Sequence, residues 1–366
     1  MSKSRSLIGN LFLLVVVLTA TLFTAEIVWK IAVASGDIGR QFDEKLRFVN
    51  PPNTEWTIKQ KEYETHIRTN SLGFRGPEMP PVPKSDDELR VLFLGDSFVV
   101  AKQVEEEERF VEKTEVALAE ALDRPVVTRG LGIGGANPAL HLLYYREIGK
   151  DFDPDVVVQV LFPENDLMPL EGPYSFREDG DALVVENVWV EPQPACNWKC
   201  GLLKKSSILR LTYQALRGKN DDASASELLG DYYWYTTEGQ MALATQKRWQ
   251  VLSALVTQLH DEVVWDGGTF IVMLMPSALE MQKTWQEEYL SNDQPYLWDF
   301  WQIDQLLSRA KYVLEEEGMI VLDLRTAFAE AVTDEEPLYY KTDPHLSVRG
   351  HDVVVEALSG TVEDLL

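Results

Sequence analysis

Apolar residues in this chain fall into short unbroken runs that alternate with stretches of helical spacing. Five runs have strand length: Val91–Leu94, Pro125–Arg129, Val156–Phe162, Thr269–Met275 and Met319–Leu324. Their length and their Val, Ile, Leu and Phe content predict buried strands. Between the first two, Phe110, Thr114, Ala117, Leu118 and Ala121 recur at helical spacing. Glu105–Glu108 precede them, where negative charge suits a helix N-terminus, so a helix is expected to begin near Glu105. Further helices are expected over about Asn137–Gly149, Thr237–Val264, Ile303–Glu317 and Ser347–Leu358. Strands and helices alternating at these lengths predict an α/β fold built on a doubly wound parallel sheet. Two stretches break the alternation, 163–236 after the third strand and 276–302 after the fourth, and read as insertions.

The segment before the sheet reads differently. From Leu7 to Ala25 there is no charged residue, and Leu, Val, Phe and Thr dominate. That run is long enough to span a bilayer as a helix, with Trp29 and Lys30 after it as an interface anchor. A cleaved signal peptide ending at Ala32-Val33-Ala34 is the competing reading, and the length of the run favours an uncleaved anchor. Lys3 and Arg5 precede the span while Lys30, Arg40, Lys45 and Arg47 follow it, so the positive-inside count does not set its orientation. Residues 36–88 read as a stalk and lead-in, punctuated by Pro51-Pro52, Pro77, Pro80-Pro81, Pro83 and the acidic Asp86-Asp87-Glu88. The expected organisation is therefore an N-terminal membrane anchor (1–35), a lead-in (36–88) and one α/β domain (89–366). An exported, periplasmic or extracellular, domain is expected.

Among 366 residues the formal net charge is −25, which argues against a nucleic-acid partner. Cys196 and Cys200 are spaced for a small disulfide loop, and no His lies near them to complete a metal site. Nothing else indicates a metal or an organic cofactor, with one partial exception. Gly130, Gly132 and Gly135 match G-x-G-x-x-G between a strand and a helix. A dinucleotide site also wants an acid at the end of the next strand, and Asp155 stands at that strand's start.

In an open parallel sheet, ligands bind outside the carboxyl ends of the strands. Those ends carry chemistry here. The first strand runs into Gly95-Asp96-Ser97. The second runs into Gly130–Asn137, the third into Pro163-Glu164-Asn165-Asp166, and the chain after the fifth into Asp343-Pro344-His345. A serine hydroxyl becomes a nucleophile when a base takes its proton, and a carboxylate can hold a histidine in the tautomer that does so. Ser97, His345 and Asp343 fit those catalytic parts. The backbone N–H groups of Ser97 and Gly135 and the side-chain amide of Asn165 fit an oxyanion hole. Asp96 reads as a residue that caps or orients the turn, and His351 as structural. Aromatic residues crowd both insertions: Tyr232-Tyr233-Trp234-Tyr235 in the first, and Trp285, Tyr289, Tyr296, Trp298 and Trp301 in the second. Such residues stack on sugar rings or simply pack the insertion down, and packing is the favoured reading.

On these blocks the chain resembles the SGNH (GDSL-type) hydrolase superfamily over about residues 66–362. Gly95-Asp96-Ser97 resembles the first block, Gly135 the second, Asn165-Asp166 the third and Asp343 with His345 the fifth. The segment Asn70-x-x-Gly73-x-Arg75 resembles one found in membrane-anchored bacterial members. Two departures stand: Pro163 replaces the usual glycine of the third block, and Asp343 and His345 are one residue closer than in the common D-x-x-H. The resemblance implies a flavodoxin-like, three-layer fold with sheet order 2-1-3-4-5. It implies a serine esterase acting on an acylated small molecule or carbohydrate. An O-acyltransferase acting on a glycan is the alternative, and a non-catalytic glycan-binding or assembly protein a further one.

Overall fold

The computed structural model describes residues 39–80, 82–167, 173–179, 182–190, 243–291, 305–333 and 335–366, with a few isolated positions before 25. The chain divides into two compact units, 1–37 with 192–223 and 38–191 with 224–366. Nearly all described residues belong to the second. Among the described residues no helix is long and apolar enough to cross a membrane. Most of the expected span from Leu7 to Ala25 falls outside them, as do Cys196 and Cys200.

The second unit is built on a parallel sheet of β1 (Leu89–Gly95), β2 (Val126–Gly132), β3 (Val156–Leu161), β4 (Thr269–Leu274) and β5 (Ile320–Asp323). Their spatial order is β2-β1-β3-β4-β5, the doubly wound order expected. Side chains alternate across the sheet, and helices cover both faces. On β1, Leu92 and Leu94 join one cluster with α3 (Pro138–Glu147), α4 (Leu243–Trp265) and α5 (Gln305–Glu316). Val91 and Phe93 join the other with α2 (Phe110–Leu122) and α6 (Val348–Leu365). Every residue of β1 and β3 is buried, which is why those strands read as continuous apolar runs.

Two differences from expectation bear on the site. The lead-in is not irregular: strands Gln41–Asp43 and Arg47–Val49 form one hairpin, and Glu55–Lys59 and Glu64–Arg68 another. Leu46, Val49 and Phe74 bury themselves in the cluster of α3, with the Phe74 ring edge-on to Tyr144 at 5.3 Å. The lead-in therefore clusters with the sheet unit. Second, Glu106–Glu108 form a separate 3-10 turn, and α2 begins only at Phe110. Arg109 is extended between them (ψ 144°) and buried, its guanidinium pairing with Glu112. The ring of His351, on α6, accepts from the Phe110 N–H at 3.1 Å and so caps α2, in keeping with a structural role. Of the insertions, the described parts are a hairpin, Tyr174–Asp179 with Ala182–Val188, and the short helices Pro163–Asp166, Ala278–Met281 and Lys283–Ser291.

Candidate active site

Ser97 opens a single helical turn, α1 (Ser97–Val100), directly after β1. Asp96 caps it, its carboxylate accepting from the Phe98 N–H at 2.9 Å, and Ala101 ends it in the left-handed conformation. Glycines make this turn possible by letting α1 press onto the strand ends. A Cβ on Gly95 would lie 2.4 Å from Val99 Cγ2, and one on Gly132 2.8 Å from Val99 Cβ. A Cβ on Gly130 would also meet Val99, at 3.1 Å. Two of the three glycines in the G-x-G-x-x-G match thus make room for Val99. Asp155, the acid a dinucleotide would want, lies at the amino end of β3, where it accepts from the Arg90 N–H at 2.8 Å and from Lys84 Nζ at 2.7 Å.

His345 lies 248 positions from Ser97 in the sequence, yet its Nε2 is 2.8 Å from Ser97 Oγ. Its Nδ1 is 2.5 Å from Asp343 Oδ1, which also accepts the His345 N–H at 3.1 Å. The imidazole packs against the Phe98 ring, centroids 5.1 Å apart. The Tyr340 N–H donates to the His345 carbonyl, and an antiparallel bridge between Tyr339 and Leu346 closes the loop that carries Asp343. All three catalytic candidates therefore converge. Burial pushes the Asp343 carboxyl up, but hydrogen bonds from His345, Tyr63 and Gln103 outweigh it and hold the group at about 2.

Asn165 follows β3 and donates its amide to Asp96 Oδ2 at 2.6 Å. One amide hydrogen is committed there and the second is available for another acceptor. Asp96 is fully buried; burial raises its pKa, opposed by the Asn165 and Phe98 donors. The neighbouring Asp166 is raised further, well above the usual carboxylate range, by burial and by the charge of Asp96. Gly135 lies in the left-handed region at φ +70°, and a Cβ on the adjacent Gly134 would be 3.9 Å from Ser97 Cβ. The glycine turn after β2 therefore runs beside the nucleophile position. Arg40 donates to the Gly134 carbonyl.

Sequence reasoning missed two groups. Asp343 Oδ2 accepts from the Tyr63 hydroxyl at 2.7 Å and from Gln103 Nε2 at 3.1 Å. Neither residue belongs to a motif, and Tyr63 is 280 positions away, so no local pattern marks them. Trp285 donates its indole N–H to the Tyr340 carbonyl at 2.9 Å, which is packing of the second insertion onto the site loop. Tyr232–Tyr235, Tyr296, Trp298 and Trp301 lie outside the described residues. Among the described residues no group of three His, Cys, Asp or Glu side chains could hold a metal.

A family described as SGNH hydrolase-like domain, acetyltransferase AlgX, matches residues 228–365. That stretch holds β4, β5, Asp343 and His345. Among solved structures, an acetyl xylan esterase is 14% identical, with 75% of this chain and 100% of that one covered at a TM-score of 0.40. A GDSL-like lipase from Bacteroides thetaiotaomicron is 13% identical, with 76% and 89% covered at a TM-score of 0.36. An acetylxylan esterase from Geobacillus stearothermophilus, solved as a catalytic mutant, is 15% identical, with 74% and 92% covered at a TM-score of 0.37. No curated protein sequence matches the chain.

Proposed function

We propose that this SGNH hydrolase-like chain is a serine esterase that takes an acyl group from an O-acylated carbohydrate or small molecule through an acyl-serine intermediate. One observation carries the reading: a hydroxyl, an imidazole and a carboxylate from two distant parts of the chain lie in one hydrogen-bonded line, Ser97–His345–Asp343. In the first half-reaction Ser97 Oγ bonds to the ester carbonyl carbon and its proton passes to His345 Nε2. Negative charge develops on the carbonyl oxygen, toward the N–H groups of Ser97 and Gly135 and the free hydrogen of the Asn165 amide. The C–O bond then breaks, and the leaving alcohol takes the proton from His345. In the second half-reaction water loses a proton to His345 and attacks the acyl-serine. Collapse releases the acid and returns the proton to Ser97. Asp343 keeps the imidazole's Nδ1 protonated throughout, so that Nε2 is the face turned to Ser97.

A second acceptor is supported by a specific observation. The family matched over residues 228–365 is described as an acetyltransferase. With a sugar hydroxyl in place of water, the same second half-reaction builds a new ester and makes the chain an O-acyltransferase. Residues 7–25 are proposed to anchor the chain in a membrane with the α/β unit exported, supported by the charge-free run.

Labelling by a serine-reactive phosphonate tests the chemistry: wild type is expected to be labelled and Ser97→Ala not. Equal labelling of the two would remove Ser97 from the nucleophile's role. Supplying an acyl donor with and without an oligosaccharide then separates the acceptors. Free acid alone in both reactions identifies hydrolysis, and an acylated oligosaccharide identifies transfer.

A further inference from the structure

The loop that follows the nucleophile turn is held in an unusual way. Five consecutive carbonyls, of residues 100 to 104, each accept from a side chain that lies elsewhere in the sequence. Arg75 donates to Val100 at 3.1 Å, to Val104 at 2.7 Å and also to Ala101. Thr65 Oγ1 donates to Lys102 at 2.7 Å, and the Tyr340 hydroxyl to Gln103 at 3.0 Å. Arg75 is 2% exposed, and taking a guanidinium out of water is costly unless its donors are used. Here both terminal nitrogens are used on a loop, while Nε has no partner among the described residues. The Asn70-x-x-Gly73-x-Arg75 segment is shaped to deliver it. Asn70 Oδ1 accepts from the Leu72 and Phe74 N–H groups, and its amide donates to the Pro77 carbonyl. Gly73, at φ +83°, passes so close to Asn50 that a Cβ would lie 2.3 Å from its carbonyl oxygen.

What the loop carries is Gln103, whose amide meets Asp343 Oδ2. The same oxygen takes the Tyr63 hydroxyl, which comes from the turn of the second lead-in hairpin. That turn grips the Asp343 loop twice more. Glu62 accepts the N–H groups of Lys341 and Thr342, and the Tyr63 ring leans on Tyr340 at 5.1 Å. Free to rotate, a carboxylate could offer either oxygen to the imidazole in several orientations. With Oδ2 held by two donors, only Oδ1 faces His345.

We propose that Tyr63 and Gln103 are positioning residues that aim Asp343 at His345, and that Arg75 holds Gln103 in place through the 100–104 loop. The lead-in would then complete the site. This rests on the acyl-serine reading above and adds to it the residues that set its geometry.

The test uses the full-length chain with Tyr63→Phe, Gln103→Met, their combination, and Arg75→Lys. Phosphonate labelling rates and hydrolysis of an aryl acetate are followed from pH 5 to 9. Each single change is expected to slow labelling about 10-fold, the loss of one hydrogen bond to a charged group. The double variant is expected to lose more than the product of the singles, since either donor alone still holds the oxygen. KM for the ester should stay unchanged. The acidic limb of the rate profile should move to higher pH, because a carboxylate relieved of donors holds an imidazolium more strongly. The other ionisable groups that bear on the pair, Asp96 and His351 toward His345 and Tyr340 toward Asp343, with Glu62 beside Tyr340, are the same in all variants. Arg75→Lys should behave like Gln103→Met, since one ammonium cannot span three carbonyls; if it fails to fold, the Tyr63 and Gln103 variants still decide. Wild-type rates and an unmoved limb in the double variant would overturn the proposal. So would slower labelling that only tracks a lower unfolding midpoint. Equal labelling of wild type and Ser97→Ala would instead overturn the acyl-serine reading on which it stands.

Discussion

Gly95→Ala tests the claim that the nucleophile turn sits where it does because two strand ends carry no Cβ. The added methyl would lie 2.4 Å from Val99 Cγ2, 3.3 Å from Val99 Cβ and 3.1 Å from Val160 Cβ. Carbon atoms prefer a separation of about 3.5–4.0 Å, so α1 must move outward by about 1 Å. Overpacking of this kind costs about 1–3 kcal/mol. The same movement should break the 2.8 Å contact of Ser97 Oγ with His345 Nε2, and a displacement near 1 Å at a reacting group costs about 100-fold in rate. Val99→Ala removes both γ carbons, and with them the 2.4 Å clash. Alone it deletes two buried methyl groups, at about 0.8 kcal/mol each, and leaves a small cavity, so about 2 kcal/mol is expected. Together the two changes should interfere favourably: the new methyl fills the space left by Val99. A coupling of about 1–2 kcal/mol is expected from urea unfolding, with labelling of Ser97 partly restored in the double variant. Additivity within about 0.5 kcal/mol would refute the packing argument, as would Gly95→Ala labelled at the wild-type rate.

Three further outcomes follow from single side chains. Asn165→Ala removes an oxyanion donor candidate and also leaves Asp96 without its 2.6 Å partner; turnover of an aryl ester should fall about 100- to 1000-fold, and a fall under tenfold would exclude the amide from the oxyanion hole. Glu280 accepts from the Ser277 N–H with one oxygen, while the other has no partner among the described residues, and burial raises the carboxyl to about 8. Between about pH 4.5, where the unfolded chain ionises, and pH 8 this group's contribution to stability therefore falls as pH rises, and Glu280→Gln should remove that contribution from the stability–pH slope; a slope identical to wild type's in the variant would refute it. His351→Leu leaves the Phe110 N–H without its acceptor and should cost about 1–3 kcal/mol. Burial holds the His351 ring neutral in the fold, so its contribution to stability is lost as pH falls below about 6.5, and in urea unfolding the difference in stability between wild type and variant should shrink over that range.

The legible parts of this molecule are those whose physics is local. β3, expected over Val156–Phe162 and found over Val156–Leu161, is legible because all six of its residues are buried, so none has to face water. Asp96, Ser97 and Asn165 stand out because a turn at a strand end brings polar types together in a few residues, and His345 because Asp343 stands two residues before it in a loop. The glycines after β2 are ambiguous in one dimension, since a phosphate cradle and a packing gap demand the same residue. Only the Val99 side chain, pressed against Gly130 and Gly132, separates the two. The start of α2 is misread for a related reason. Four consecutive glutamates look like a helix N-terminus, but the buried guanidinium of Arg109 draws the backbone into an extended step first. The lead-in hairpins have strands of only three and five residues, half of them exposed, and although the five-residue pair alternates exposed and covered positions, the runs are too short to stand out among the prolines that flank them.

The contacts around the candidate triad's carboxylate are the least local of all. Tyr63 and Gln103 reach Asp343 across 280 and 240 positions, and Arg75 reaches the nucleophile loop across 25 to 29. A hydrogen bond made over such distances leaves no spacing rule in the sequence, because each partner's neighbours answer to their own element. The residues proposed to perform the chemistry can therefore be read from motifs, while those proposed to aim it cannot. In this chain the second set lies mainly in residues 60–75, a segment that by composition alone looks like a connector. Substitutions there should separate rate from stability more sharply than substitutions in the core of the sheet, where packing governs both.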